Sequence, residues 1–370
     1  MLLQNTEPSP TRMARSAAEI RRWIVEEVAR TLKVGPCEVD PAAPLDSLGV
    51  DSLGAIGMSG GLAAYIGKDV PATLMWDYPT INAIAVALAD EEPLAQALIH
   101  PGVINLQTQG SRTPIFFFPG MGGHPLTFTN LATRLGSTQP CYGLTVPGLD
   151  GDSPPLETVE AMAAAMVQTL RRVQPTGPYQ LAGYSFGGLL AYEAARQLTA
   201  AGQSVGLLAI YDTFAPGGKV TRPLWQRLIR HGYLLLTRTG RIAYVRGRVR
   251  RLRNTITHRP ENVTPDAAAD GTMEERVKII QKLNRRATDR YKPLPYDGST
   301  VLFLAAHRPD YVHFYKIDPT AGWGAHCKGQ VQIVTLPGSH FTLLNAANAG
   351  HAAAALLPHL IDAPSNRNER

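Results

Sequence analysis

The sequence predicts two domains of different fold class, a small all-α domain at the N-terminus followed by a larger α/β domain. Within residues 16–90, apolar side chains recur at helical spacing. From residue 102 to residue 362, short apolar runs alternate with amphipathic stretches, which is typical of a mainly parallel sheet covered by helices on both faces. The 370 residues suit one domain of about 85 and one of about 260 residues, joined by a linker over residues 91–101.

Three helices are predicted in the N-terminal domain, as a small helical bundle. The second begins near Ser52, although the adjacent residues Gly60 and Gly61 weaken its middle. The third follows Thr80, which can cap it. The first begins near Ser16 and carries an apolar stripe that repeats every four residues: Ile20, Ile24, Val28 and Leu32.

The α/β domain is predicted from apolar runs that end in glycine- or proline-containing turns, with helices at residues 159–173 and 189–201 between them. Residues 216–292 interrupt the alternation with an arginine-rich, mostly helical sequence. This segment is too long for a loop and is interpreted as a helical lid. The strands are expected at residues 115–118, 179–182, 206–211, 301–305 and 331–336.

Ser185 lies in a G-x-S-x-G pattern at residues 183–187, between a predicted strand and a predicted helix. This pattern forms a sharp strand-to-helix turn that lifts a serine above the edge of a sheet. A serine hydroxyl becomes a nucleophile when a histidine accepts its proton and a carboxylate orients that histidine. The pattern therefore predicts an acidic residue and then a histidine further along the chain.

The candidate acid and base follow predicted strands after Ser185. Asp212 closes the next strand, and Asp310 follows the strand after that and is the alternative acid. His340 lies just past the last predicted strand, where a loop can bring its imidazole to the serine. Three other histidines are interpreted as surface or loop residues: His307, His313 and His326.

The oxyanion of an acyl-transfer intermediate needs two backbone N–H donors. One is expected on Phe186, the residue after the nucleophile. The other is expected in the loop at residues 119–123, where Met121 is the candidate, although this loop can also be an ordinary glycine-rich turn. A phosphate-binding loop is not favoured, because no Gly-Lys-Ser/Thr sequence follows. No metal site is predicted.

Residues 102–350 resemble the type I thioesterase domains that end polyketide synthases and nonribosomal peptide synthetases. The resemblance implies an α/β-hydrolase fold with a helical lid, and it favours Asp212 over Asp310 as the acid. It rests on four short segments: FFPG at 117–120, GYSFGG at 183–188, YDT at 211–213 and GSHF at 338–341.

Ser52 lies in the segment LGVDSL at residues 48–53, and on residue chemistry alone it can be a helix cap beside Asp51. Together with DYPTI at residues 77–81, this segment resembles the acyl carrier protein domains of polyketide synthases. The resemblance implies that Ser52 carries covalent 4′-phosphopantetheine, which a phosphopantetheinyl transferase adds. The glycine pair inside the second helix departs from the family and could alter how partner enzymes dock.

The two resemblances imply that the chain releases a finished acyl chain of the polyketide type from its own carrier domain. Release would pass through an acyl-Ser185 intermediate and end in hydrolysis or intramolecular cyclisation. Upstream polyketide or fatty acyl synthases, or acyl ligases, would supply the acyl thioester. Two alternatives stay open, namely an editing thioesterase that clears aberrant chains and a carrier or scaffold protein whose hydrolase body is idle.

The composition, 44% hydrophobic and 18% charged, is ordinary for a globular protein. Residues 1–100 carry 7 Lys and Arg against 13 Asp and Glu, whereas residues 219–260 carry 12 Lys and Arg and no acidic residue. No nucleic-acid-binding motif accompanies this basic segment, so nucleic acid is not expected as a partner. The apolar runs are too short to span a membrane, and three scattered cysteines without a leader pattern favour a reduced, cytoplasmic setting.

Overall fold

The computed structural model describes residues 15–43, 52–67, 80–89, 102–149, 153–221, 273–307 and 315–362, together with residues 45, 48, 70 and 223. The chain forms two compact units, Met1–Ala97 and Leu98–Arg370. The division between them falls inside the predicted linker, residues 91–101, which lies outside the described ranges.

The N-terminal unit contains helices α1 (Ala17–Leu32), α2 (Ser52–Ile66) and α3 (Ile81–Ala89), which begin at or next to the predicted positions. Helix α1 starts with a capping box. The Ser16 hydroxyl accepts a hydrogen bond from the Glu19 N–H, and the Glu19 carboxylate accepts one from the Ser16 N–H. This cap satisfies N–H groups that have no partner inside the helix, and it thereby determines where α1 begins.

One face of α1 lies at the centre of the N-terminal core. Leu32, the last residue of the predicted stripe, is only partly buried. Gly61 of α2 lies against Trp23 of α1, where a Cβ would stand 3.1 Å from the indole ring. A glycine that lowers helix propensity therefore also permits close packing of the two helices. The other stripe residues are fully buried: Ile20, Ile24 and Val28.

The C-terminal unit is built on a twisted sheet with the strand order β1-β3-β2-β4-β5-β7-β9. All neighbouring strands run parallel except the edge strand β1, which pairs antiparallel with β3. The sequence patterns missed β1 and β3, and the other five strands of this sheet lie where they were predicted. The strands in chain order are β1 (Val103–Gln107), β2 (Ile115–Phe118), β3 (Cys141–Leu144), β4 (Tyr179–Tyr184), β5 (Val205–Tyr211), β6 (Lys219–Thr221), β7 (Thr300–His307), β8 (Tyr315–Ile317) and β9 (Val331–Ser339).

Successive side chains of each strand point to opposite faces of the sheet, so both faces carry apolar side chains, and helices cover both of them. Phe116 and Phe118 of β2 pack with α5 and α6, whereas Ile115 and Phe117 of the same strand pack with α4 and α8. All four side chains are fully buried. The helices are α4 (Thr129–Leu135), α5 (Val159–Val173), α6 (Phe186–Ala200), α7 (Met273–Arg290) and α8 (Ala349–Leu356).

The segment predicted as a helical lid, residues 216–292, is only partly described. Its last part is helical as predicted, since it forms α7. Its first part is not, because β6 pairs antiparallel with β8 in a separate small sheet. Residues 219–221 are therefore a strand within a segment predicted to be mostly helical. Residues 224–272 lie outside the described residues.

A buried carboxylate joins α7 to the body of the sheet domain. Glu193 of α6 is 1% exposed and accepts hydrogen bonds from Arg196, from Gln197 and from the hydroxyl of Tyr291, the residue directly after α7. Burial alone would raise the pKa of Glu193, but these hydrogen bonds outweigh it and hold the pKa below its usual value. The fully satisfied ion therefore holds the end of α7 against α6.

No helix in the described ranges is long and apolar enough to cross a membrane. Cys37, Cys141 and Cys327 form no disulfides. Within the same ranges, no group of three or more His, Cys, Asp or Glu residues could hold a metal ion.

We expect Tyr291→Phe to lower the free energy of unfolding of the C-terminal unit by about 1–3 kcal/mol, because a hydrogen bond to a buried carboxylate is lost. Urea denaturation of the full chain at neutral pH measures this. Tyr142→Phe is the matched control, since the Tyr142 ring stacks on Phe116 and its hydroxyl takes no part in the Glu193 network. Equal stability of Tyr291→Phe and the wild type would show that the network does not hold α7.

Candidate active site

Ser185 lies at a sharp turn between β4 and α6. Its backbone has φ 56° and ψ −119°, a conformation that a residue with a side chain rarely adopts. Such a residue costs on the order of 1–3 kcal/mol and persists only where its surroundings hold it. The turn also requires two glycines, because a Cβ at Gly183 would stand 2.0 Å from the Gly187 carbonyl oxygen and one at Gly187 would stand 2.2 Å from the Phe118 carbonyl oxygen. Strand, turn and helix together expose the serine at the edge of the sheet.

His340 joins Ser185 to Asp212. Its Nε2 lies 3.1 Å from the Ser185 Oγ, and its Nδ1 lies 2.8 Å from the Asp212 Oδ2. Both distances are within hydrogen-bonding range. The structure thus brings together the three residues that the sequence singled out as nucleophile, acid and base, and it gives the imidazole one partner on each ring nitrogen.

Asp212 is held in place through backbone contacts with β7. Its φ of 45° is left-handed, and its N–H donates to the Phe303 carbonyl at 2.7 Å. The Ala305 N–H donates to the Asp212 Oδ1 at 3.0 Å, which leaves Oδ2 directed at His340. The alternative acid, Asp310, lies outside the described residues.

The other candidate histidines have different surroundings. His307 is exposed at the end of β7, and the His326 Nε2 lies 3.5 Å from the Pro216 carbonyl oxygen. His313 lies outside the described residues. Within the described part of the chain, only His340 has hydrogen bonds to both Ser185 and Asp212.

Tyr184 supports His340 from the strand end next to the serine. The two rings stack with centroids 5.0 Å apart, and the Tyr184 hydroxyl donates to the His340 carbonyl. Burial, and then the nearby negative charge of Asp212, raise the pKa of Tyr184, so this side chain remains a neutral donor. On the other side, the Phe341 ring meets the imidazole edge-on at 5.2 Å and is 85% exposed.

The two candidate oxyanion donors lie on a helix start and on a turn. Phe186 is the first residue of α6, so its N–H has no partner within the helix. Met121 lies in a turn closed by a hydrogen bond of 3.0 Å from the Gly123 N–H to the Gly120 carbonyl.

Next to this turn, loss of hydration lowers the pKa of His124 to about 4, so its imidazole is neutral at physiological pH.

Thr213 is a site residue to which the sequence patterns assigned no role. Its hydroxyl donates to the Ser185 carbonyl at 2.7 Å, and its own carbonyl accepts a hydrogen bond of 2.9 Å from the Trp323 indole. The threonine therefore connects the two strand ends that carry the serine and the aspartate. Its position in the YDT segment was the available signal, but the segment alone does not show what the hydroxyl contacts.

Ser52, the candidate attachment residue, is the first residue of α2. The predicted start of this helix is confirmed. A serine hydroxyl is the group that a phosphopantetheine phosphodiester requires, so the residue present at this helix start fits the cofactor chemically.

The fold and the serine elbow define the C-terminal unit as an α/β hydrolase. Over residues 113–359 the chain matches the family model of the thioesterase domain, and over residues 22–88 it matches that of the phosphopantetheine attachment site. The chain belongs to the thioesterase domain family and carries a carrier domain in front of that domain. Its cofactor is covalently attached 4′-phosphopantetheine.

Individual relatives are large synthetases. The chain is 35% identical over 176 residues to an indigoidine synthase of Dickeya dadantii. The aligned residues make up 47% of this chain and 11% of that protein. It is also 28% identical over 299 residues to the malpinin synthetase of Mortierella alpina. This alignment includes 79% of this chain and 4% of that protein. The chain therefore spans a small part of the length of these relatives.

A solved four-domain nonribosomal peptide synthetase, holo-AB3403 bound to AMP and glycine, has the same fold over most of the chain. Its TM-score is 0.53 at 23% identity, covering 96% of this chain and 27% of that one. The nonribosomal peptide synthetase pngA of Aspergillus terreus is 25% identical over 334 residues, which is 84% of this chain and 34% of that protein. None of these relatives supports the expected polyketide assignment.

We expect Thr213→Val to destabilise the C-terminal unit by about 1–2 kcal/mol, because the Ser185 carbonyl loses a donor at a strained turn. Thr213→Ser retains the hydroxyl and is the matched control. Urea denaturation of both full-length variants measures the difference. Equal unfolding midpoints for valine and serine would mean that the hydroxyl does not support the turn.

Proposed function

We propose that this chain releases an acyl or peptidyl group held as a thioester on its own carrier domain, through a covalent ester at Ser185. The observation that carries the proposal is the position of His340, whose ring nitrogens are 3.1 Å from the Ser185 Oγ and 2.8 Å from the Asp212 Oδ2. A serine, a histidine and a carboxylate in this order of contact form the arrangement that activates a serine nucleophile. The assembled contacts argue against an idle hydrolase body.

The carrier domain would hold the substrate through Ser52, modified by a phosphopantetheinyl transferase. When bound, the phosphopantetheine supplies the thiol that carries the acyl group as a thioester. Two observations support this assignment: the attachment-site family model covers residues 22–88, and Ser52 begins α2. Synthetases acting before this chain would form the thioester, as the large size of the relatives suggests.

In the first half-reaction, the Ser185 Oγ attacks the thioester carbonyl carbon and its proton passes to the His340 Nε2. The Asp212 carboxylate, aligned by the Ala305 N–H, accepts the His340 Nδ1 proton as a hydrogen bond and stabilises the imidazolium. The backbone N–H groups of Met121 and Phe186 stabilise the oxyanion. The carbon–sulfur bond then breaks, and the proton on Nε2 goes to the departing sulfur.

In the second half-reaction, a nucleophile attacks the Ser185 ester. If the nucleophile is water, the His340 Nε2 takes its proton and the product is a free acid. If it is an amine or hydroxyl of the bound chain itself, the same proton transfer yields a ring. In both cases the ester carbon–oxygen bond breaks, and the proton on Nε2 returns to the Ser185 Oγ.

We expect Ser185→Ala to abolish release, because no other group in the proposed mechanism forms the acyl ester. Phosphopantetheinylation and acyl loading of the carrier should be unchanged. Intact mass spectrometry of the full chain follows both, with the loaded species accumulating in this variant. Ser52→Ala is the matched control: it should take up no arm yet still hydrolyse a small soluble thioester. Release at near wild-type rate by Ser185→Ala would refute the proposed nucleophile.

We expect Asp212→Asn to lower kcat by about 10³–10⁴-fold, because an amide no longer holds the imidazole in the tautomer that accepts the serine proton. Asp310→Asn serves as the comparison and should change kcat little. Steady-state hydrolysis of a soluble acyl thioester by the two variants measures this. The assignment of the acid would be wrong if the Asp310 variant lost activity and the Asp212 variant did not.

A further inference from the structure

A fully buried asparagine of α7 contacts the turn that carries Met121. The Asn284 Nδ2 donates to the Met121 carbonyl oxygen at 2.9 Å, and the residue is 0% exposed. Within the described part of the chain, its Oδ1 has no hydrogen-bond partner. Helix α7 therefore presents the Asn284 amide as a donor to the backbone of the turn.

The turn has two peptide planes that must be held if the Met121 N–H is to point in a fixed direction. The first contains the Gly120 carbonyl and the Met121 N–H, and the Gly123 N–H holds that carbonyl at 3.0 Å. The second contains the Met121 carbonyl, which Asn284 holds. Because the two planes meet at the Met121 Cα, these two hydrogen bonds together restrict both of its backbone torsions.

Helix α7 also packs against the glycines of this turn. A Cβ at Gly123 would stand 3.0 Å from the Ile280 Cγ2, and one at Gly122 would stand 3.9 Å from the Gln281 Nε2. The helix and the turn are therefore in close contact at these two glycines.

Packing alone does not account for an amide at this position. A leucine side chain has a similar size and would fill the same space without burying a polar oxygen that has no partner among the described residues, which is unfavourable. What the asparagine adds is the donor to the Met121 carbonyl.

We propose that Asn284 is a positioning residue for the oxyanion hole. It touches none of the reacting atoms and acts by holding the Met121 peptide so that the Met121 N–H stays directed at the oxyanion. This inference rests on the proposed role of the Met121 N–H, and it makes the orientation of that donor depend on α7.

The test uses the full-length chain and a small acyl thioester of N-acetylcysteamine. Asn284→Leu removes the donor and keeps the volume, and Asn284→Ala is the second variant. We expect kcat to fall roughly 10- to 100-fold, less than the 10²- to 10³-fold typical of deleting an oxyanion donor outright. KM should stay within about twofold, because the ground-state carbonyl depends less on this donor.

Two further measurements separate positioning from general damage to the fold. An acyl trifluoromethyl ketone, which forms an oxyanion on adding to the serine, should lose affinity in proportion to the loss of kcat/KM. The amplitude of the acylation burst with an activated ester should not change, since it counts folded active sites. Thr288→Val is the control on the same helix, because the Thr288 hydroxyl donates to the Asn284 backbone carbonyl and, among the described residues, makes no hydrogen bond to the turn. It should leave kcat and inhibitor affinity unchanged.

Met121→Pro tests the same donor without touching α7. Proline is favoured at the second position of common β-turns and has no N–H, so it deletes the proposed donor. It should weaken the ketone at least as much as Asn284→Leu does, and it keeps the proposal testable if the Asn284 variants fail to fold.

The proposal is overturned if Asn284→Leu and Asn284→Ala retain wild-type kcat and ketone affinity. It is also overturned if they lose only burst amplitude, or if Met121→Pro binds the ketone as well as the wild type does. Ser185→Ala, assayed in parallel, separates this inference from the proposed function. An inactive Ser185→Ala with normal Asn284 variants rejects only the inference, whereas an active Ser185→Ala rejects the function.

Discussion

The site depends above all on one strained residue, Ser185, whose positive φ turns the chain from β4 into α6 within a single position. The conformation is unfavourable by itself and is held by contacts on both sides. The Ser185 N–H donates to the Tyr211 carbonyl at 3.0 Å, and the Thr213 hydroxyl donates to the Ser185 carbonyl at 2.7 Å. The end of β5 therefore holds the serine, and the same strand end leads directly into Asp212.

The strand order explains how Asp212 and His340, the proposed acid and base, meet although β5 and β9 are not neighbours. Strand β7 lies between them and is parallel to both. The Phe303 carbonyl of β7 accepts a hydrogen bond from the Asp212 N–H, and the Ala305 N–H of the same strand donates one to the Asp212 Oδ1. The Asp212 carboxylate is thereby held near the C-terminal end of β7. The loop that follows β9 can place His340 against it there. A parallel sheet with this order is what converts three distant sequence segments into one site.

Much of this arrangement could be predicted from the sequence because its signals are local. Helix α5 has the predicted bounds, and the strands β2, β4, β5, β7 and β9 were visible as apolar runs. Strands β1 and β3 were missed because polar residues interrupt the apolar run in β1 and a glycine interrupts it in β3. Strand β6 was missed because its pairing partner β8 lies almost a hundred residues away, and such a partner leaves no local pattern.

Asn284 shows why the remaining features could not be predicted. Residues 277, 280, 284, 287 and 291 form one face of α7 and the residue after it, and all five are buried. On the sequence alone, an asparagine and a tyrosine on such a face are interruptions of an apolar stripe. In the structure each has its own partner: Tyr291 contacts the Glu193 carboxylate and Asn284 contacts the Met121 carbonyl. The two residues lie seven positions apart, which is about two helical turns. The hydrogen bond between Tyr291 and Glu193, which holds α7 on the body of the domain, therefore also determines the position of Asn284 relative to the Met121 carbonyl. The two polar residues of this face are therefore the ones through which, as we propose, the helix positions the Met121 peptide.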